Sequence, residues 1–243
     1  MKVAYDPSNR FEIKAWDVEF RRDPARTLMA RIYQPQGGGP FPALLDLHGG
    51  AWNNQDRTAN APMDESLARS GILVVAIDLR RAPEAPYPAS VQDANYGVRW
   101  LKHKAREWNG DPETVGALGS SSSGHEIELC AMRPKEPRYN AHPLPEAPNL
   151  DATVAYVVAR SPVSDPFARY QQAEKRQWKE MIQNIQANNG PDLQHTLNYL
   201  ALPDDPLYIA APDFLSRDLF ARYGQTYQLF FNGAVHVPTV FAV

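Results

Sequence analysis

The stretch Thr114-Val115-Gly116-Ala117-Leu118-Gly119-Ser120-Ser121-Ser122-Ser123-Gly124-His125 decides how this chain is read. A short apolar run ends at Gly119, four serines follow, and Gly124 leads into a segment of helical character. The pattern predicts a strand, a tight turn and a helix. A serine at such a turn is held in front of the sheet, where its hydroxyl can act as a nucleophile. Taken alone, the stretch fits a glycine- and serine-rich loop equally well, and any of the four serines could stand at the turn. The flanking chain has to decide.

Upstream, residues 11–22 and 27–33 alternate in polarity on either side of Asp23 and Pro24, which predicts two antiparallel edge strands. Residues 41–47 form a strand that stops at His48-Gly49-Gly50, and residues 61–70 have weak helical character. Ile72 to Ile77 are six apolar residues in a row, as expected of a parallel strand covered on both faces. Val91, Ala94, Val98, Leu101, Ala105 and Trp108 place one apolar stripe on a helix over 89–109, with Ser90 as its N-cap and Gly110 as its stop. Asp111-Pro112 then turns the chain into the opening stretch.

Downstream, a short helix over 125–132 is followed by a proline-rich surface loop over 134–150 and a buried strand over 152–159. A helix over 167–187, a strand over 207–211, a helix over 214–223 and a last strand over 226–231 complete the expected order. Strands alternating with helices predict an α/β fold with a mostly parallel sheet, an antiparallel start and helices on both faces. Residues 1–243 read as one domain, with 167–206 as a helical lid insertion.

Composition narrows the function classes. The net charge is −3, with acids and bases mixed, so nothing favours nucleic acid or an anionic membrane surface. No apolar run reaches the ~18 residues of a membrane span, and the start of the chain lacks a signal-peptide core, so a cytoplasmic protein is expected. Cys130 is the only cysteine, so no internal disulfide is expected. It sits among apolar residues, as an inert buried thiol would, and no Cys/His spacing suggests a metal site.

Three features fall at the ends of predicted parallel strands, where open α/β sheets place their sites. They are His48-Gly49-Gly50-Ala51-Trp52, the serine turn and the loop around Asp213, and His236 follows the last strand. Acyl transfer needs such a set. A serine requires a histidine base, a carboxylate to orient that histidine, and backbone N–H groups for the developing oxyanion. The chain order serine, acid, histidine is one known arrangement of these parts.

At these residues the chain resembles the α/β-hydrolases, specifically the hormone-sensitive-lipase-like and acetyl-esterase or feruloyl-esterase-like carboxylesterases. His48-Gly49-Gly50-Ala51-Trp52 is similar to their HGG oxyanion motif. Asp78-Leu79-Arg80-Arg81-Ala82-Pro83-Glu84, with Tyr87-Pro88-Ala89 and Asp93, resembles their D-x-R-x-A-P-E segment. Gly119 to His125 resembles G-x-S-x-G-G-H. The likeness is strongest over residues 40–125, continues more weakly through Ser161-Pro162-Val163-Ser164-Asp165, and is loose beyond.

The resemblance implies Ser121 as nucleophile, His236 as base and Asp213 as the acid, 23 residues before it. Gly49, Gly50, Ala51 and Ser122 would form the oxyanion hole, and Trp52 would line the substrate pocket. The implied substrate is a small short-chain ester, with no cofactor and no metal; a homodimer is compatible. Asp78, Arg80 and Glu84 are expected in a buried polar network, and His48 in support of the oxyanion loop. Related members of the fold with an HGG-x-W motif cleave N-formyl amides, and a degenerate hydrolase acting as a binding protein is a third reading. The third rests on three departures from the family pattern: Ser123 stands where a glycine is usual, Glu126 and Glu128 sit in a helix that the fold buries, and the interval from Asp213 to His236 is shorter than the family's.

Overall fold

The computed structural model describes residues 10–24, 26–166 and the backbone of 239–242. The described strands are β1 (Ile13–Arg22), β2 (Thr27–Pro35), β3 (Phe41–Leu47), β4 (Leu73–Ile77), β5 (Gly110–Ser120), β6 (Tyr156–Arg160) and β7 (Thr239–Ala242). They form one sheet in the order β1-β2-β4-β3-β5-β6-β7. The centre, β4-β3-β5-β6, is parallel; β1 and β2 are antiparallel at one side and β7 at the other. The α/β architecture with an antiparallel start is therefore as expected. The closing edge strand β7 was not anticipated. The expected lid over 167–206 and the elements over 207–231 lie outside the described residues.

Alternation along the central strands explains the layers. Leu45 and Leu47 of β3, with Leu73, Val75 and Ile77 of β4, pack with α2 (Ala89–Lys104) and α3 (Ser122–Met132) in the main core. Val74 and Ala76 point to the other face, where α1 (Ala61–Arg69) brings Ala68 against them. Each large apolar side chain buried this way contributes about 1.5–3 kcal/mol. Gly97 lets α2 lie close to the sheet, since a Cβ there would sit 2.9 Å from Ile77 Cδ1 and 3.1 Å from Leu45 Cδ2.

Several local expectations are corrected. α2 begins one residue before Ser90, and Ser90 is buried, so it caps nothing. The helix runs into a 3₁₀ turn over Ala105–Trp108 that ends on Asn109, whose left-handed φ of 59° takes the role expected of Gly110. Gly110 and Asp111 already pair with Phe41 and Pro42 as the start of β5, not as a turn. β6 pairs only from Tyr156 to Arg160, later than expected. The 134–150 segment is irregular but not all surface: Tyr139 and Leu144 are buried, and Tyr139 hydrogen-bonds Tyr87 between their hydroxyls at 2.8 Å.

Candidate active site

β5 and α3 meet at Ser121, which has φ 54° and ψ −115°. Side chains rarely adopt this region, and such strain persists only where the surroundings enforce it. They do so here. Ser121 N–H donates to the Arg160 carbonyl at 2.9 Å, and the Ser121 carbonyl accepts from Gly124 N–H and Val163 N–H at 3.1 Å each. Two glycines make the turn sterically feasible. A Cβ on Gly119 would lie 2.1 Å from the Ser123 carbonyl oxygen, and one on Gly124 would lie 2.6 Å from Pro162 Cβ. The Ser161–Asp165 segment thus braces the turn from behind.

Of the four serines, only Ser121 is exposed. Ser120 and Ser122 are buried with hydroxyls that have no hydrogen-bond partner, and Ser123 is buried and engaged. Sequence reasoning left the register among the serines to the family pattern; accessibility now separates them.

The His48–Gln55 loop wraps the front of this turn. Gly50 (φ 113°), Ala51 (φ 50°), Trp52 (φ 62°) and Gln55 (φ 73°) all have positive φ. The Gly50 carbonyl accepts from Asn53 N–H at 3.1 Å and Asn54 N–H at 2.9 Å, and the Trp52 carbonyl accepts from Ala82 N–H at 2.9 Å. Gly49 lies directly against the serine turn: a Cβ there would meet the Ser120 carbonyl at 3.1 Å and Ser121 Cβ at 3.3 Å. Gly49 is therefore brought against Ser121, with Ser122 following it at the start of α3. Trp52 is buried in the main core, its ring edge-to-face with His125 at 6.0 Å, and it also lines a small cavity beside the loop with Gly49 and Ser122. Asp213 and His236 lie outside the described residues.

The buried groups around the loop are held largely neutral. Burial lowers the His48 pKa, and its Nδ1 is 2.7 Å from the Gly49 carbonyl. Burial takes His125 down to about 3. It pushes Glu126 up to about 7, Glu128 up to about 8 and the Cys130 thiol up to about 12, as an inert buried thiol requires.

The expected polar network divides in two. Asp78 accepts from Met29 N–H at 3.0 Å and pairs with Arg57 at 3.3 Å. Arg80 instead pairs with the buried Asp93, which also holds Arg21. Glu84 takes no part: it is exposed and lines a cleft of about 660 Å³ with Arg26, Asn53, Arg80, Arg81 and Gln92. Among the described residues no cluster of metal-ligating side chains occurs, and no helix is long and apolar enough to cross a membrane.

A parallel-centred sheet that presents a strained serine between a strand and a helix, under a glycine loop from the neighbouring strand, defines an α/β-hydrolase. The chain belongs to the BD-FAE family, whose model matches residues 31–211. It is 35% identical over 125 residues to the carboxylic ester hydrolase LipN of Mycobacterium tuberculosis, covering 50% of this chain and 33% of that protein. It is 34% identical over 93 residues to carboxylesterase NlhH of the same species, covering 38% and 29%. The chain thus spans about a third or less of the curated relatives it matches. Among solved structures, a hyperthermophilic esterase from Pyrobaculum calidifontis superposes with a TM-score of 0.52 at 25% identity, over 63% of this chain and 45% of that one. Esterase LipW from Mycobacterium marinum, at 20% identity and a TM-score of 0.59, shares the fold over 81% of this chain and 57% of its own.

Proposed function

We propose that the protein is a serine hydrolase of short-chain carboxylic esters. The observation that carries this reading is the exposed Ser121 in its strained turn with Gly49 of the glycine loop packed against it. In the proposed reaction Ser121 Oγ attacks the ester carbonyl while His236 takes its proton. Asp213 orients that histidine and stabilises the imidazolium. The developing oxyanion is held by backbone N–H groups of Ser122 and of the Gly49–Ala51 loop, each such donor being worth ~10²–10³ in rate. His236 then protonates the departing alcohol, and water hydrolyses the acyl-enzyme by the reverse route. The names carried by LipN and NlhH support ester over amide chemistry. The clean accommodation of Ser123, buried and hydrogen-bonded within an intact turn, supports a working site over a degenerate one.

Hydrolysis of p-nitrophenyl acetate, with N-formyl-kynurenine as the competing substrate class, tests the bond. S121A should lower the ester kcat/KM at least about 10³-fold while leaving the fold intact. A fluorophosphonate should label Ser121 stoichiometrically, as located by peptide mass spectrometry. Folded protein that takes no label at Ser121 overturns the proposal.

A further inference from the structure

Behind the glycine loop, one hydroxyl has two acceptors and a single hydrogen. Ser123 Oγ lies 2.5 Å from the His48 carbonyl oxygen and 2.6 Å from Glu126 Oε2. Both separations are hydrogen-bond distances for O–H···O. A serine carries one hydrogen. If Glu126 were a carboxylate, one of the two contacts would be a close approach of unshared oxygen lone pairs. Both become hydrogen bonds when Glu126 is a carboxylic acid that donates to Ser123 Oγ, leaving the Ser123 hydrogen for His48. Ser90 of α2 is a second side-chain partner of Glu126.

The site is built for this. Ser123 and Glu126 are buried on consecutive turns of α3, and His48 is the residue from which the glycine loop departs. Ser90, Ser122, Ser123, Glu126, His48 and Trp52 line one small cavity between the loop and α3. We propose that Glu126 is a positioning residue: as a neutral acid it locks the His48–Ala51 loop to the nucleophile helix through Ser123, and its ionisation releases the loop. The consequence for catalysis rests on the hydrolase reading given above.

Ionised Glu126 would claim the Ser123 hydrogen for itself. The His48 carbonyl would then face a lone pair at the same short distance and move away. Gly49, packed on Ser120 and Ser121, would move with it, and so would the N–H groups proposed for the oxyanion. The charged and titratable groups around Glu126 are Asp93 of α2, with Arg21 and Arg80 on it, and His48, Arg80 and Arg81 on the shared cavity. Burial, opposed by the Ser123 and Ser90 hydrogen bonds and reinforced by Asp93, brings the Glu126 carboxyl to about 7. The lock therefore holds below neutrality and opens above it.

The test compares wild type with E126Q, whose amide donates to Ser123 as the acid does and never ionises. Infrared difference spectra between the two should show a protonated-carboxyl band that fades as pH passes through about 7. Amide exchange over residues 48–55, compared at equal pH, should match in the two proteins below that point and be faster in wild type above it. Activity on p-nitrophenyl acetate should fall about tenfold on the alkaline side in wild type, a fraction of one oxyanion donor. E126Q should hold a plateau there, and S123G, which removes the linking hydroxyl, should also lose the pH-dependent fall. Absence of the difference band at low pH, or loop exchange that is equal in wild type and variant at all pH values, overturns the lock; if E126Q folds poorly, S123G replaces it in the exchange comparison, which then decides alone. An alkaline fall in activity that E126Q retains unchanged overturns its role in positioning. A wild type with no esterase activity removes the hydrolase reading, while the band and the exchange still decide the lock.

Discussion

Ser121 combines the two properties a nucleophile at a turn must reconcile, exposure and a backbone that its own side chain disfavours. Its φ of 54° with ψ of −115° is accessible to glycine at little cost, whereas a residue with a Cβ gives up on the order of 1–2 kcal/mol there. The three backbone hydrogen bonds that fix its N–H and carbonyl oppose relaxation. S121G should therefore raise the unfolding free energy by about 1 kcal/mol while abolishing esterase activity. Chemical denaturation of wild type, S121A and S121G measures this. S121G no more stable than S121A would mean that the turn stores no strain. Ser123, two residues further, shows the converse case: its side chain adds contacts instead of strain, because its hydroxyl bridges to His48 and Glu126.

At the scale of elements, the β5–α3 junction depends on how closely the helix doubles back over the strand. The approach is closest at Gly119, where a Cβ would stand 2.1 Å from the Ser123 carbonyl oxygen and 2.8 Å from Ile127 Cγ2. The first contact is with backbone, which cannot rotate away. G119A should cost about 2–3 kcal/mol by overpacking, read from the shift in a urea unfolding midpoint, and unchanged stability would show that α3 can slide. Elements of this kind were legible from local pattern. The uninterrupted apolar run of β4, the stripe of α2 and the glycine spacing around Ser121 each express a period or a steric need within a short window. What escaped the sequence was pairing between distant residues. Ser90 has the chemistry of a helix cap, yet its hydroxyl turns inward to Glu126, which lies on another helix. Trp52 adjoins the glycine loop in sequence, and its ring meets His125 of α3 in the core. Glu84 belongs to a motif whose Asp78, Leu79 and Ala82 are buried, yet it stands on an exposed proline-rich turn. No local pattern encodes these placements, because each is decided by what another element brings to the same space.

For the whole molecule, the buried carboxyls set how stability depends on pH. Burial raises Glu126 to about 7 and Glu128 to about 8. Asp46 is also raised by burial under α1, and Asp64 by burial and then by the nearby Asp46. A carboxyl raised on folding keeps its proton in the native state over a range where the unfolded chain has lost it. Between the unfolded value near 4.5 and the folded value, the native state binds more protons, so stability falls as pH rises. The stability these groups contribute is thus fully present below the ordinary 3.8 of the aspartates and is lost by about 9, where Asp64 ionises last. Asp17 acts in the opposite sense: hydrogen bonds from Arg57 and Arg31 hold it at about 2, so its contribution is present above the ordinary 3.8 and lost as pH falls toward 2. The histidines oppose the carboxyls: burial lowers His48, His125 to about 3 and His142 to about 4, so they favour the folded state increasingly up to the ordinary 6.5. The net decline therefore falls between about 6.5 and about 9, where Asp64, with the largest shift, and Glu128 still hold protons that the unfolded chain has lost. Thermal melts from about pH 4 to about pH 9 should show the midpoint falling by several degrees across the upper half of that range. E126Q and E128Q together should shrink the decline, since neither amide ionises, and leave the part that Asp46 and Asp64 carry. A midpoint that rises from about pH 6.5 to about pH 9 in wild type would show that these carboxyls are ionised in the native state and that charge partners, not burial, govern them.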